Sequence, residues 1–344
     1  MMMNPSQNSK RRPIMKSPAL FLVGLCVFLL SGSVFGPKPQ ISNTPQAAIN
    51  RPWGQLDEMI AEQEAEVANI RPGNESKIYW TNSIRQTEYC IVYLHGFSAS
   101  GVEANPMHHE LARRYGMNLY APRLFAHGIT AEDAMFELTV EDYVNSAKEA
   151  IAIGKKMGEK VILMGSSTGC TLSLYLATGD PQVVGLLLLS PNIKIAQRGV
   201  SLFTGPFGLQ IARMFVGSHI EWSHPNQEVK KYWTMRYRTE ALVQLQILVK
   251  ATMKKKTFQQ VTQPVFLGYY YKNKEEQDNV VSVKAMLRMF EQLGTPDELK
   301  TKVAFPKAGT HSIVSPLHSQ DTKRVKYQLQ KFIENTLKIP PLEQ

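Results

Sequence analysis

The chain has 344 residues, 43% of them hydrophobic and 20% charged, which excludes disorder along its whole length; 22 glycines and 20 prolines exclude collagen-like or low-complexity architecture. Three cysteines, Cys26, Cys90 and Cys170, are too few for a disulfide scaffold and too scattered for a zinc site. The net charge of +10 is local: Lys10, Arg11, Arg12, Lys16, Lys38 and Arg51 fall in the first 56 residues with no acid among them, leaving 33 basic against 29 acidic residues elsewhere, which is no footprint for nucleic acid.

Residues 1–36 read as an export signal or an N-terminal membrane anchor. Lys10 to Lys16 supply a basic flank, Ala19 to Leu30 an apolar run, and Ser31 and Ser33 suit a cleavage site. From Pro18 to Phe35 the stretch is just long enough for a short uncleaved span. Basic residues before the run keep the N-terminus inside and export the rest, so the expected location is extracytoplasmic, released or tethered to the membrane. Cys26 has further apolar residues after it and does not suit lipid attachment. Residues 37–76 read as a polar, proline-rich linker with a short helix from Asp57 to Ile70, and the folded domain is expected over 77–340.

From Lys77 onward apolar runs alternate with amphipathic ones. Strands are expected at Cys90–Leu94, Asn118–Ala121, Lys160–Met164, Val183–Leu189, Pro264–Tyr271 and Lys302–Phe305. Helices are expected at Asn105–Tyr115, Val140–Met157, Thr168–Thr178, about 280–293 and about 320–337. Strands apolar on both faces imply a mostly parallel central sheet flanked by helices, an α/β fold. Residues 191–262 break the rhythm with a helical, aromatic-rich pattern and no good strand, which reads as a cap inserted over the carboxyl edge of the sheet.

Gly165-Ser166-Ser167-Thr168-Gly169 fits G-x-S-x-G between a strand and a helix. A serine on that turn is strained and exposed at a helix N-terminus, whose positive field favours developing negative charge. Ser167 is therefore the candidate nucleophile. His95-Gly96-Phe97 ends a strand, so the N–H groups of Phe97 and Thr168 are the candidate oxyanion hole. Asp278 follows a later strand and is the candidate carboxylate, with Glu275 and Glu276 read as solvated neighbours. His311 follows the last strand and is the candidate general base, with His318 as its rival. The order Ser167, Asp278, His311 differs from that of chymotrypsin- and subtilisin-type enzymes.

On YLHGF (93–97), APRLFAHG (121–128), GSSTG (165–169), EEQDNVVS (275–282) and GTHS (309–312), the chain from about Tyr89 to Leu337 resembles the α/β-hydrolase superfamily, in its monoacylglycerol lipase and carboxylesterase-like (serine aminopeptidase-like) branch. It departs from that branch at Ala126, where Gly-His-Gly is common, and at Cys170, where glycine is common. The resemblance implies a serine hydrolase of small to medium acyl esters, with monoacylglycerol in range, using an acyl-enzyme and no metal or cofactor. The cap apolars Phe203, Phe207, Leu209, Ile211, Met214, Phe215, Trp222, Trp233, Met235, Leu242, Leu245 and Ile247 either line an acyl pocket or fill the cap's own core. The implied partner is a small ester, with the membrane tether as an addition. A serine aminopeptidase would use cap acids such as Glu221, Glu228 and Glu240 to hold an amine; an acyltransferase or a silent binding module are further alternatives. His219, Glu221 and His224 make a poor metal set, Lys254 to Lys256 read as a solvated helix end, and His108-His109 as solvated positions on a surface helix. Cys90 and Cys170 read as buried thiols, although an export compartment permits a disulfide.

Overall fold

The computed structural model describes residues 39–205 and 207–343, so the basic and apolar stretch at 1–36 lies outside it. Its strands are β1 (Lys77–Tyr79), β2 (Thr87–Leu94), β3 (Asn118–Ala121), β4 (Gly158–Ser166), β5 (Val183–Leu189), β6 (His219–Glu221), β7 (Arg236–Arg238), β8 (Val265–Tyr269) and β9 (Lys300–Ala304). The helices are α1 (Leu56–Ala65), α2 (Met107–Arg114), α3 (Val140–Met157), α4 (Thr168–Ala177), α5 (Gly208–Val216), α6 (Gln227–Tyr232), α7 (Thr239–Thr252), α8 (Lys255–Gln260), α9 (Val283–Glu291) and α10 (Thr322–Asn335). Seven strands form one sheet in the order β1-β3-β2-β4-β5-β8-β9, parallel throughout except for β1 against β3.

The unbroken apolar runs follow from burial on both faces. Alternate residues of β2 and β4 point to opposite layers: Cys90, Val92, Leu94, Val161 and Leu163 meet α1, α3, α4 and α9, while Ile91, Tyr93, Ile162 and Met164 meet α2 and α10. Each fully buried Leu, Ile or Val contributes roughly 1.5–3 kcal/mol relative to exposure. Helix α3 starts where Thr139 Oγ1 accepts the Asp142 N–H at 3.1 Å, with Glu141 and Asp142 in its first turn and Lys155 and Lys156 in its last, each matching the helix dipole.

Four features were not expected. Strand β1 is three residues long at the sheet edge, too short to carry a period. Two further short strands, β6 and β7, pair antiparallel inside the insertion (His219 with Arg238, Glu221 with Arg236). The second half of the insertion also returns to the body of the molecule: Leu248 of α7, Phe258 of α8 and Val261 are buried in the same layer as α3 and α4. The segment before Lys77 is packed rather than free. Leu56, Met59 and Ile60 of α1 are buried in that layer, and Arg71 reaches the insertion, donating to the carbonyl of Trp233 at 2.7 Å and to Thr234 Oγ1 at 2.9 Å. Asn74 Nδ2 donates to the Lys231 carbonyl at 2.9 Å. Among the described residues no helix is long and apolar enough to cross a membrane.

Candidate active site

Ser167 alone makes the turn from β4 into α4, at φ 51° and ψ −113°. That conformation is strained for a residue with a Cβ, and its backbone bonds hold it there: Ser167 N–H donates to the Leu189 carbonyl at 3.0 Å, and its own carbonyl accepts from Asn192 N–H at 3.0 Å and Cys170 N–H at 3.1 Å. The flanking glycines are required by space. A Cβ at Gly169 would lie 1.8 Å from the Leu94 carbonyl oxygen, so no side chain fits there while β2 and the turn touch. Cys170 fills its position with a thiol that donates to the Gly165 carbonyl at 3.0 Å and accepts Leu189 N–H at 3.2 Å. Cys90 and Cys170 are both free and buried, and burial pushes both thiols up, so they stay neutral. Ser167 keeps 8% of its surface exposed.

The loop after β8 delivers Asp278. Its Oδ1 accepts the N–H groups of Val280 (2.9 Å) and Val281 (3.0 Å), which fixes the carboxylate, and its Oδ2 lies 2.6 Å from His311 Nδ1. The second imidazole nitrogen, Nε2, is buried with no hydrogen-bond partner among the described residues. Burial opposes the imidazolium of His311, but the Asp278 charge and hydrogen bond, with a smaller contribution from the Glu103 charge, outweigh it, and the net shift is upward. His318 instead packs against Trp233 and His224, with ring centroids 4.8 and 4.7 Å away. Burial and the charges of His224 and His311 push it down to about 4. Glu276 pairs with Lys272 at 2.6 Å on the surface.

The loop after β2 approaches the elbow closely, since a Cβ at Gly96 would lie 3.5 Å from Ser167 Cβ. Gly96 N–H is already engaged: it donates to Glu103 Oε2 at 2.8 Å. The next N–H, that of Phe97, makes no hydrogen bond among the described residues, and the Thr168 N–H is first in α4, where no intrahelical acceptor exists. The Phe97 ring is held edge-on between His127 (5.7 Å) and Tyr237 of β7 (5.4 Å). Sequence reasoning missed Glu103. It lies on the short helical turn Gly101–Ala104, 3% exposed, and accepts four hydrogen bonds, from Tyr93 Oη, Gly96 N, Ser166 Oγ and Ser312 Oγ. Its signal in the sequence was an acid among small and apolar residues, with no motif to name its partners.

The insertion brings Trp233, Val229, Trp222 and Met235 against Ala99 of the β2 loop and Leu317 beyond His311, and Thr234 N–H donates to the Ser98 carbonyl at 2.7 Å. Phe203, Leu209, Ile211, Leu242 and Ile247 instead pack on one another in the insertion's own core, while Met214 and Phe215 are 76% and 70% exposed. The three cap acids all have cations: Glu221 meets Arg236 at 2.8 Å, Glu228 meets Lys231 at 2.6 Å, and Glu240 meets Arg213 and Arg238. His219 faces Asp133 at 3.2 Å, and among the described residues no group of three or more His, Cys, Asp or Glu side chains could hold a metal ion. The solvated reading of His108 is corrected. It is 1% exposed, edge-on to Tyr93 at 5.2 Å, because α2 turns Met107, His108, Leu111 and Ala112 together onto the sheet. A cleft of about 660 Å³ lies elsewhere, lined by Glu64, Arg123, Phe125, Met135, Phe136 and Glu149.

Comparison with known proteins agrees with this architecture. The chain is similar to a thermostable monoacylglycerol lipase of Bacillus sp. (strain H-257), 28% identical over 165 residues, a stretch covering 48% of this chain and 63% of that protein. Among solved structures it resembles a chain from the metagenome-derived lipolytic enzymes LipS and LipT, with a TM-score of 0.63 at 16% identity over 77% of this chain and 99% of that one. It also resembles a thermophilic esterase from Thermogutta terrifontis, with a TM-score of 0.50 at 15% identity over 76% and 93% of the two chains. At such identities the likeness speaks for the fold alone. The family model of the alpha/beta hydrolase family matches residues 91–325, which takes in the elbow, the carboxylate and the histidine, and the chain therefore belongs to the alpha/beta hydrolase family.

Proposed function

We propose that this chain hydrolyses carboxylic esters of small to medium acyl groups, glycerol monoesters among them, through an acyl-enzyme on Ser167. The observation that carries the reading is the 2.6 Å contact between His311 Nδ1 and Asp278 Oδ2, made by two loops of the same sheet edge that bears the strained serine. Asp278 holds the imidazole with Nδ1 protonated, leaving Nε2 as the base. His311 Nε2 takes the Ser167 proton as Oγ bonds to the ester carbonyl carbon. The resulting oxyanion accepts hydrogen bonds from the Phe97 and Thr168 amides. The C–O bond to the alcohol then breaks, and the alkoxide leaves with the proton from Nε2. Water repeats the sequence on the acyl-enzyme, gives its proton to His311 and releases the acid. No step as written draws on a metal or cofactor.

Two further observations support this reading. The apolar wall of Trp222, Trp233, Met235 and Leu317 adjoins the loops that carry Phe97 and His311, which suits an acyl chain. Glu221, Glu228 and Glu240 are each neutralised by a cation, which disfavours an aminopeptidase, where a free carboxylate must meet the substrate amine. The matched bacterial relative is a monoacylglycerol lipase, and that name is the reason for including glycerol monoesters. We further propose that residues 1–36 export the chain, releasing it or tethering it to the membrane, on the strength of the basic flank and apolar run. Initial rates on p-nitrophenyl esters from acetate to palmitate test the activity, with Ser167→Ala as control. Turnover at an acyl-length optimum, lost in the variant, is expected. Equal rates from the variant would overturn Ser167 as nucleophile.

A further inference from the structure

We propose that Glu103 is a positioning residue for the reaction: its buried carboxylate joins the three loops that carry the oxyanion amide, the nucleophile and the base, and sets their mutual geometry. The proposal rests on the reading of Ser167 and His311 given above.

The three loops reach the site from distant parts of the chain, after β2, after β4 and after β9. One carboxylate oxygen of Glu103, Oε1, accepts from Ser166 Oγ at 3.0 Å and from Ser312 Oγ at 2.9 Å. These are the residue just before the nucleophile and the residue just after the base. The other oxygen, Oε2, accepts from Gly96 N–H at 2.8 Å and from Tyr93 Oη at 3.0 Å. Taking up the Gly96 N–H fixes that peptide plane and leaves the next N–H, that of Phe97, for the oxyanion. The fit is close, because a Cβ at Gly96 would come within 3.3 Å of both carboxylate oxygens. A carboxylate that accepts four donors in a buried site is a stiff joint, since hydrogen bonds to a charged acceptor are stronger than neutral ones and breaking them there exposes nothing to water.

Glu103 also acts on His311 through space. The charged and titratable groups facing the imidazole are Asp278 from the loop after β8, Glu103 from the turn after β2 and His318 from its own loop. The Glu103 charge favours the imidazolium that forms when Ser167 gives up its proton.

Glu103→Gln separates this role from a merely structural one. The amide oxygen can still accept from Gly96 and Tyr93, and the amide nitrogen can donate to the two serine hydroxyls, so the joint is kept and the charge is lost. In the purified full chain with p-nitrophenyl butyrate, kcat is expected to fall about ten- to a hundredfold while KM changes by less than about threefold. The acid limb of the kcat profile should move to lower pH, because His311 loses a neighbouring negative charge. Glu103→Ala, which also cuts the joint, should lose more activity; melting curves for both variants separate lost folding from lost turnover. The labelling rate of Ser167 by a fluorophosphonate gives a second readout that needs no ester substrate, and Glu103→Gln should slow it to a similar degree. A folded Glu103→Gln chain with the kcat, acid limb and labelling rate of the parent would overturn the proposal. A parent chain that is labelled but turns over no ester would defeat the ester reading, and the labelling rates of the variants would still decide the role of Glu103. A parent chain that resists labelling as well would overturn both.

Discussion

Ser167 at φ 51° and His311 beside Asp278 each carry a local cost that the proposed reaction would use. The serine stores backbone strain of about 1–3 kcal/mol, which the surrounding bonds from Leu189, Cys170 and Asn192 hold in place. The histidine is oriented by its partner, as the proposed proton transfer requires. Because its pKa is raised above the usual value, kcat/KM should fall as pH drops through a point above about 6.5, the ordinary imidazole value. The same shift has the opposite sign for folding. The protonated His311 stabilises the fold at pH below the unfolded value, and that contribution is lost as pH rises through the folded one. Asp278→Asn should lower kcat by roughly 10³–10⁴-fold, by releasing the imidazole tautomer and its orientation, and should move the acid limb to lower pH. A steady-state pH profile of both chains checks this; an unmoved limb in Asp278→Asn would mean that the carboxylate does not face the working histidine.

At the scale of elements, positions that depart from glycine show what the turns demand. Ala126 takes φ 61°, in the left-handed region, and so does Gly128 two residues on at φ 70°. An alanine therefore holds a conformation that a glycine would take freely, at a cost of about 1–2 kcal/mol. Ala126→Gly should raise stability by about 1 kcal/mol, visible as a higher Tm, since the strain relieved exceeds the methyl burial lost. The inner strands and the main helices were legible in the sequence because burial on both faces writes long apolar runs, as in Val183–Leu189, and because helices as long as Val140–Met157 repeat their stripe several times. Strands β1, β6 and β7 were not, because three residues cannot display a period. Ser167, Asp278 and His311 were readable as candidates because each follows a recognisable strand. Glu103 was not, because its meaning comes from four donors scattered over some 220 residues of chain, from Tyr93 to Ser312. His108 was misread for a related reason: a histidine carries no sign of which helix face it is on until the helix is docked.

For the molecule as a whole, the buried histidines set an acid limit. Burial, the leading cause in each case, pushes His95 and His318 down to about 4 and His108 to about 3, and holds His127 well below its usual range. All four are neutral in the fold near neutrality. Between about pH 6.5 and 4 the unfolded chain binds protons that the folded chain refuses, so stability falls as pH drops, by up to about 1.4 kcal/mol per pH unit for each such group. His311 alone works the other way, and one group cannot offset four. Urea melts between pH 7.5 and 5 should show a midpoint that declines steadily below about pH 6.5; a flat midpoint would mean that these histidines take up protons in place.

The strap from Arg71 to the insertion also bears on the order in which the molecule is made. Arg71 leaves the ribosome 162 residues ahead of the Trp233 carbonyl that it holds. At a synthesis rate of about 5–20 residues per second, its guanidinium waits in water for on the order of ten seconds or more before that partner exists. The partner nevertheless arrives before β8, β9 and the loop that carries His311. The insertion can therefore be latched to the amino-terminal segment while the sheet still ends at β5, so that the nascent chain has a roof before the floor beneath it is complete.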